Sequence, residues 1–567
     1  MKTLREALLD HPPQLLRAIA ELNHIELSDA SRDALASHLA AELARAEVAQ
    51  RAWQSLSDAE RGVMEKIIAQ GGRIKAFQLS RDHGEIRAFG PVALARDKPW
   101  QSPANVTERL WYLGFLQRAF DIVGEFRGEI FFVPAEILAH LPTPEADAAS
   151  PSLATVAAPD AVSDHGDLLM WDMFILMAFV ARNEPPFVQD TVLGVEELRA
   201  VDAQLRAKDS FAGEDTTHAP RLTFLVRLAR TARLIRATKD GVRLGPYAKE
   251  WLRGTYQHRR LHLFEAWQRE RAWNELRHVS SLKIEETGWR NDPKRARETV
   301  LKFLAQCPMD AWVSLASFIA AIKQRDPDFQ RPDGDYDRWH IRDAESGKWL
   351  TGFAHWNQVE GALIQFMCEG PLCWLGVVSI GGKANEPMAL RVTEFGARAL
   401  GLTTEPMREP QSQRFVVQGD FDVLVPHDAP FYARFQLERM AERVRWDHMS
   451  TYRLTREAVT RLLRRNVTVD QILAFLSRNA RAPFPPNVAF TVREWATKYG
   501  EITLRRGAVL HTRDKNLLAE LQHHPQVKAY ILDVLSPTVA LVASEQVEEL
   551  QAKLQALGYS PKIEEPS

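Results

Sequence analysis

A chain of 567 residues with 45 % hydrophobic content has material for about four domains of about 150 residues each, so it reads as globular and multi-domain. Lys and Arg number 72 against 74 Asp and Glu, a net charge of -2, which excludes a globally basic protein and requires any polyanion-binding surface to be local. Three cysteines (Cys307, Cys368 and Cys373) are too few and too unevenly spaced for a disulfide framework, and no stretch reaches the roughly 20 uncharged apolar residues that span a bilayer. The expectation is a soluble, cytoplasmic chain.

An N-terminal helical segment, 1–52, comes first. Ser57 followed by Glu60 forms a capping box ahead of Val63, Ile67 and Ile68, and Gly71-Gly72 stops that helix. A second helix is expected after Ser102 with Pro103 at its first position, then strands over 115–123 and 130–133 about a turn at 124–129. Helices followed by such a hairpin describe a winged-helix-like module over 53–140. Residues 141–164, rich in Ala, Pro, Ser and Asp, read as a flexible linker.

The same grammar recurs over 165–255. An apolar helix at 168–180 precedes a helix at 221–232, and a hairpin follows with strands 234–237 and 242–244 turning at Lys239-Asp240-Gly241. A third helical, winged-helix-like region spans 256–402 and ends in a strand feeding a helix capped by Thr393. Residues 403–413 read as a second linker. The C-terminal unit, 414–567, is one α/β domain. Its expected elements are an edge strand at 415–425 and helices at 431–444, after Thr455, at 470–478 and at 486–498. A hairpin at 502–511 and a strand and helix at 539–557 complete it. The fold class expected is α+β, predominantly helical.

On the 221–232 helix, Leu222, Leu225, Leu228, Ala229 and Ala232 share one arc, and Thr223, Arg227, Arg230 and Thr231 the other. Positions 221–300 hold 19 Lys and Arg against 9 Asp and Glu, a local excess of ten positive charges. Phosphates reward such clustering through counterion release, and the second helix of a helix-turn-helix is the one that enters a groove. Thr223, Arg227, Arg230, Lys239 and Arg243 are therefore candidate nucleic-acid contacts, with Arg461, Arg464 and Arg465 on the last unit. The same basic faces also suit a protein-interaction scaffold.

Asp326, Asp328, Asp333, Asp335 and Asp337 invite a metal-dependent nuclease reading, yet the calcium-loop pattern fails: Arg338 stands where Gly is needed and Ala344 where Glu is needed. Glu345 and Lys348 are three apart, not the two of a restriction-nuclease pattern. Cys368 and Cys373 have no second pair for zinc. Trp339, Trp349, Trp356 and Trp374 sit among apolar residues and read as core. No metal and no cofactor is expected. Gly347-Lys348 and Gly382-Lys383 are followed by Trp349 and Ala384, with Arg342 and Val377 where the upstream glycine of a phosphate loop belongs. Nowhere does Asp directly precede Glu, so the acidic box of an ATP-driven motor is missing as well. No enzymatic centre is expected.

From Phe415 onward the phrases FVVQGDFDVLVP (415–426), YRLTREAVTRLLRRNVTVDQILAFLSRNARAPFPPNV (452–488) and VREWATKYGEITLRRGAVLHTRD (492–514) resemble the helicase-associated domain in the N-terminal part of XPB-type helicases. That resemblance implies a domain that engages DNA and docks partner subunits beside a motor. Without a motor of its own, the chain reads as a non-catalytic DNA-binding accessory protein with a separately encoded helicase or ATPase as partner.

Overall fold

The computed structural model describes residues 2–28, 31–123, 126–142, 153–189, 191–208, 219–285, 287–383, 386–499 and 507–564. The chain is mixed α and β and divides into two compact units, Met1–Pro410 and Gln411–Ser567. No helix among the described residues is long and apolar enough to cross a membrane.

The first unit opens with α1 (Leu4–Leu9), α2 (Pro13–Leu22), α3 (Arg32–Leu43) and α4 (Ala46–Gln54). Their buried leucines, among them Leu8, Leu16, Leu39 and Leu43, belong to one core with Val63, Ile67, Leu110 and Trp111, so the N-terminal helices and the next module share a single interior. That module runs α5 (Asp58–Ala69), β1 (Arg73–Lys75), α6 (Ala76–His83), α7 (Pro91–Asp97), α8 (Val106–Tyr112), β2 (Gln117–Val123) and β3 (Phe126–Phe132), with short α9 (Ala135–Leu138) after it. The Ser57–Glu60 capping box is present, and Gly71 and Gly72 both adopt positive φ at the helix stop. Helix α8 starts three residues later than Pro103 suggests. Asn105 caps it by accepting from the Glu108 N–H, while the buried Glu108 carboxylate accepts from the N–H groups of Ala104 and Arg87.

Short strands β4 (Thr155–Val156) and β5 (Val162–Ser163) arise from the stretch whose composition suggests a linker. Next come α10 (Leu168–Asn183), α11 (Val195–Asp202), α12 (Pro220–Thr231), the hairpin β6 (Ile235–Thr238) and β7 (Gly241–Leu244), α13 (Ala248–Arg253) and α14 (Tyr256–Arg269). Gly241 takes φ 112° at the Asp-Gly turn, a region open to glycine and strained for other residues. The unit closes with β8 (Leu282–Ile284), α15 (Pro293–Leu304), β9 (Trp312–Ser314), α16 (Leu315–Arg325), β10 (Ile341–Asp343), α17 (Ala362–Met367), β11 (Val378–Lys383), β12 (Glu386–Val392) and α18 (Glu394–Ala399). Thr393 caps α18 by accepting from the Gly396 N–H.

Two sheets repeat one arrangement. The first has order β1-β3-β2, and the central strands of the five-stranded sheet β4-β9-β12-β11-β5 follow the same first-third-second order, all antiparallel. In each, a helix precedes the first strand and helices separate it from the closing strand pair: α6, α7 and α8 lie between β1 and β2, and α16 and α17, with β10 between them, lie between β9 and β11.

The second unit begins with β13 (Val416–Val417) and β14 (Asp422–Pro426), where one edge strand over 415–425 is expected from sequence. Phe421 adopts φ 70° and the Gln418 N–H donates to the Asp422 carbonyl, so the stretch folds back on itself as a hairpin and puts β14 inside the sheet β13-β14-β16-β15. Helix α19 (Phe431–Met440) ends earlier than 444 because the chain turns into β15 (Glu442–Arg445), which pairs with β16 (Met449–Arg453). Then follow α20 (Arg456–Leu463), α21 (Val469–Asn479) with the Thr468–Gln471 capping box, and α22 (Pro486–Thr497). A last sheet, β17 (Ala508–His511), β19 (Val539–Val542) and β18 (Ile531–Ser536) in that spatial order, packs with α23 (Lys515–His523) and α24 (Val547–Ala556). The strand expected at 502–504 and its Arg505-Arg506 turn lie outside the described residues.

Candidate nucleic-acid interface

Helix α12 is apolar around most of its girth. Leu222, Leu225, Leu228 and Ala229 are buried as their spacing predicts, but Phe224 and Val226 are buried too, which narrows the solvent-facing strip. Thr223 spends its hydroxyl on the Pro220 carbonyl at 3.0 Å. Arg227 is half-buried, and Arg230 is exposed with its guanidinium 5.8 Å from the centre of the Phe187 ring. Lys239 is exposed in the hairpin turn, whereas Arg243 pairs with Glu184 at 3.0 Å and donates to the Glu184 and Val242 carbonyls. Of the five residues expected here, Arg230 and Lys239 face solvent openly.

The local excess of positive charge is partly spent inside the protein. Arg221 pairs with buried Asp172, whose carboxyl is pushed up by burial against the pull of that arginine. Arg297 sits between the Glu275 carboxylate, at 2.6 and 2.9 Å, and the carbonyls of Trp267 and Trp273. Arg259 and Arg260 are buried as well, so four of the nineteen basic residues contribute nothing directly to a surface. A buried cation needs such partners, since an isolated one loses its hydration uncompensated.

The second unit differs. Arg434 is interior, held by Ser450 and the Pro426 carbonyl, and Arg443 pairs with Glu438. Around α20 the arginines remain at the surface. Arg456, Arg464, Arg478 and Arg481 are exposed, and among the described residues none of them forms an ion pair; Arg461 and Arg465 are half-buried. Helix α19 packs against α20 and brings Arg439 towards Arg465. Burial holds the Arg439 guanidinium below its ordinary range, and the like charge of Arg465 pushes it further the same way. Its Nη1 donates to Gln436 at 3.2 Å, but its buried Nε meets no acceptor among the described residues. Arg439 escapes a reading of sequence alone, since it lies 26 positions from Arg465 and only the α19–α20 packing joins them.

The remaining candidates lie elsewhere. Asp328 is buried and accepts from Arg81, Gln78 and Tyr336, while Asp333, Asp335 and Asp337 are exposed: Asp333 pairs with Arg338, and Asp335 accepts from the Asp337 and Arg338 N–H groups. Among the described residues no group of three His, Cys, Asp or Glu side chains is arranged to hold a metal ion. Cys307, Cys368 and Cys373 are buried free thiols. Trp339, Trp356 and Trp374 are core, whereas Trp349 departs from that expectation: it is 42 % exposed, and Arg342 lies 3.8 Å from its ring centre.

No curated protein matches the chain. Residues 415–536 match the family model described as the helicase conserved C-terminal domain, beginning at the buried Phe415 that opens the second unit's sheet and covering well under half of the sequence. The chain therefore carries a helicase-related domain, and the surface arginines of α20 lie within it.

Proposed function

We propose that the protein is a motor-less, nucleic-acid-binding accessory chain that grips a phosphate backbone through the arginines of α19 and α20 and works with a separately encoded ATPase or helicase. The observation that carries this reading is the set of exposed arginines Arg456, Arg464, Arg478 and Arg481 within the helicase-related stretch, none of which forms an ion pair among the described residues. Exposed guanidinium groups of like charge clustered on one surface repel one another, and a phosphate backbone laid across them turns that repulsion into charge-assisted contacts. The resemblance of 415–514 to the XPB-type helicase-associated domain, and the absence of a phosphate loop and acidic box, support an accessory role without ATP hydrolysis.

Arg230 and Lys239 offer a secondary contact. Helix α12 directly precedes the two-stranded hairpin β6–β7, the placement a groove-reading helix has before its wing. The test is fluorescence anisotropy of labelled duplex and single-stranded DNA with Arg464→Glu/Arg465→Glu and Arg227→Glu/Arg230→Glu, each checked for folding by circular dichroism. The first pair is expected to weaken binding tenfold or more and the second by less; equal affinity in all three proteins overturns the proposal.

A scaffold reading has its own observation. The helix in the corresponding place of the first module, α8, has no exposed residue and contributes Leu110, Trp111 and Tyr112 to the core shared with the N-terminal helices. That module is therefore read as a protein-docking element and not as a groove reader.

A further inference from the structure

A polar cavity of about 440 Å³ lies in the first unit between the start of α14, the junction of β12 with α18, and residues 407 and 408. Its volume falls in the roughly 300–1,000 Å³ range of ordinary small-molecule sites. Three arginines and three carboxylates line it; Asp164 accepts from the Ser379 hydroxyl at 3.1 Å and the Gly166 N–H at 2.8 Å, which leaves Asp310 and Glu394 as the carboxylates open to a ligand. Arg260 is buried and its plane is fixed, since it donates to the Tyr256 hydroxyl at 3.2 Å and the Gly166 carbonyl at 2.9 Å and lies 3.9 Å from the Phe395 ring centre. Arg391 is half-buried, its guanidinium 4.9 Å from the Trp312 ring centre. Arg408 is exposed. Among the described residues neither Arg391 nor Arg408 forms an ion pair, and the exposed carboxylates of Asp310 and Glu394 in the same lining form none either.

Arg408 is placed by its neighbours. The Met407 N–H donates to Gln257 at 2.9 Å, and the Glu409 carboxylate accepts from the Tyr256 N–H at 2.9 Å. Opposite charges that line one cavity without pairing leave two demands on a ligand: an anionic head that matches guanidinium forks, and hydroxyl or amino donors for the carboxylates. A bare anion meets the first and is repelled by Asp310 and Glu394; a neutral sugar meets only the second.

We infer that this cavity binds a phosphorylated, hydroxyl-bearing ligand of mononucleotide size, its phosphate held by Arg391 and Arg408 beside Arg260 and its hydroxyls by Asp310 and Glu394. The ligand is either a free nucleotide or the 5′-phosphorylated end of a ribonucleotide strand, which keeps its 2′-hydroxyl. The site is separate from the arginines of α20 and stands whether or not those bind nucleic acid.

Isothermal titration of the full chain with adenosine 5′-monophosphate, adenosine and a 5′-phosphorylated hexaribonucleotide tests it. Adenosine monophosphate is expected to bind saturably and adenosine at least tenfold more weakly. Arg391→Gln and Arg408→Gln are each expected to lose at least tenfold in affinity, and Arg408→Gln, altering an exposed side chain, keeps the test open should Arg391→Gln fold poorly. Arg464→Glu/Arg465→Glu is expected to bind the nucleotide as the unaltered chain does. Competition by the phosphorylated hexanucleotide identifies a strand end as the ligand, and lack of competition a free nucleotide. No saturable binding of either phosphorylated probe, adenosine binding as tightly as its phosphate, or unaltered affinity in both arginine variants overturns the inference.

Discussion

Arg81 and Asp328, 247 residues apart in sequence, meet at 2.7 Å with the aspartate wholly buried. The guanidinium also lies 3.9 Å from the Phe353 ring centre, and Gln78 and Tyr336 donate to the same carboxylate. Phe77 presses on Gly334 so closely that no Cβ fits there. Through these contacts α6 is fastened to the acidic loop that follows α16.

Removing the acceptor leaves Arg81, Gln78 and Tyr336 without their shared partner. Asp328→Ala is expected to cost about 3–5 kcal/mol, as breakage of buried pairs does. Asp333→Ala removes the exposed contact with Arg338 and a long loop hydrogen bond from the Asp335 N–H, and is expected to change stability by less than about 1 kcal/mol. Urea denaturation followed by tryptophan fluorescence separates the two; equal midpoints contradict the assigned roles.

Arg221 serves the interior and not a ligand. Arg221→Met strands the Asp172 carboxylate, which burial already pushes up, and is expected to lower stability by about 3 kcal/mol or more while DNA affinity of the folded fraction stays constant. A selective loss of affinity at unaltered stability contradicts this.

How much of this was legible in sequence depends on range. Features set within a few residues read correctly: the Ser57–Glu60 and Thr468–Gln471 capping boxes and the Asp240-Gly241 turn. Features set by distant packing did not. A window count sees Arg221, Arg259, Arg260 and Arg297 as surface charge, yet each is buried among partners, some of them far away in the chain. Phe224 and Val226 fall in the gaps between the two arcs that helical periodicity separates on α12, and both are buried, so the apolar face is wider than the spacing of the leucines shows. In the candidate site, the α20 arginines could be named from sequence, but Arg439 could not, since the strand that ends α19 and the packing that aims it at Arg465 come from tertiary structure.

Two half-buried histidines set an acid limit. Desolvation pushes His165 and His278 down from 6.5 to about 4. Between about pH 6.5 and 4 the unfolded chain therefore binds protons that the folded chain does not. Stability from these groups is complete above pH 6.5 and falls as pH drops, by up to about 1.4 kcal/mol per pH unit for each. His165→Gln/His278→Gln is expected to flatten the dependence of the urea midpoint on pH between 7 and 5; an unaltered slope contradicts the assignment.

The thiols are expected to be inert. Burial pushes Cys307 up to about 12 and Cys373 to about 11, and raises Cys368 well above its ordinary value. The reactive thiolate is scarce and shielded at pH 8. Iodoacetamide labelling read by mass spectrometry is expected to leave all three unmodified in the folded protein and to modify them in urea; rapid labelling of the folded chain contradicts this burial.

The decisive measurement for phosphate gripping by α19 and α20 is the salt dependence of DNA binding by the full chain. The logarithm of affinity is expected to fall linearly with the logarithm of salt concentration. Arg464→Glu/Arg465→Glu is expected to make that slope shallower by about 0.9 for each duplex phosphate the protein no longer neutralises. Affinity independent of salt, or the same slope in the charge-reversed protein, contradicts a phosphate-gripping surface on α20.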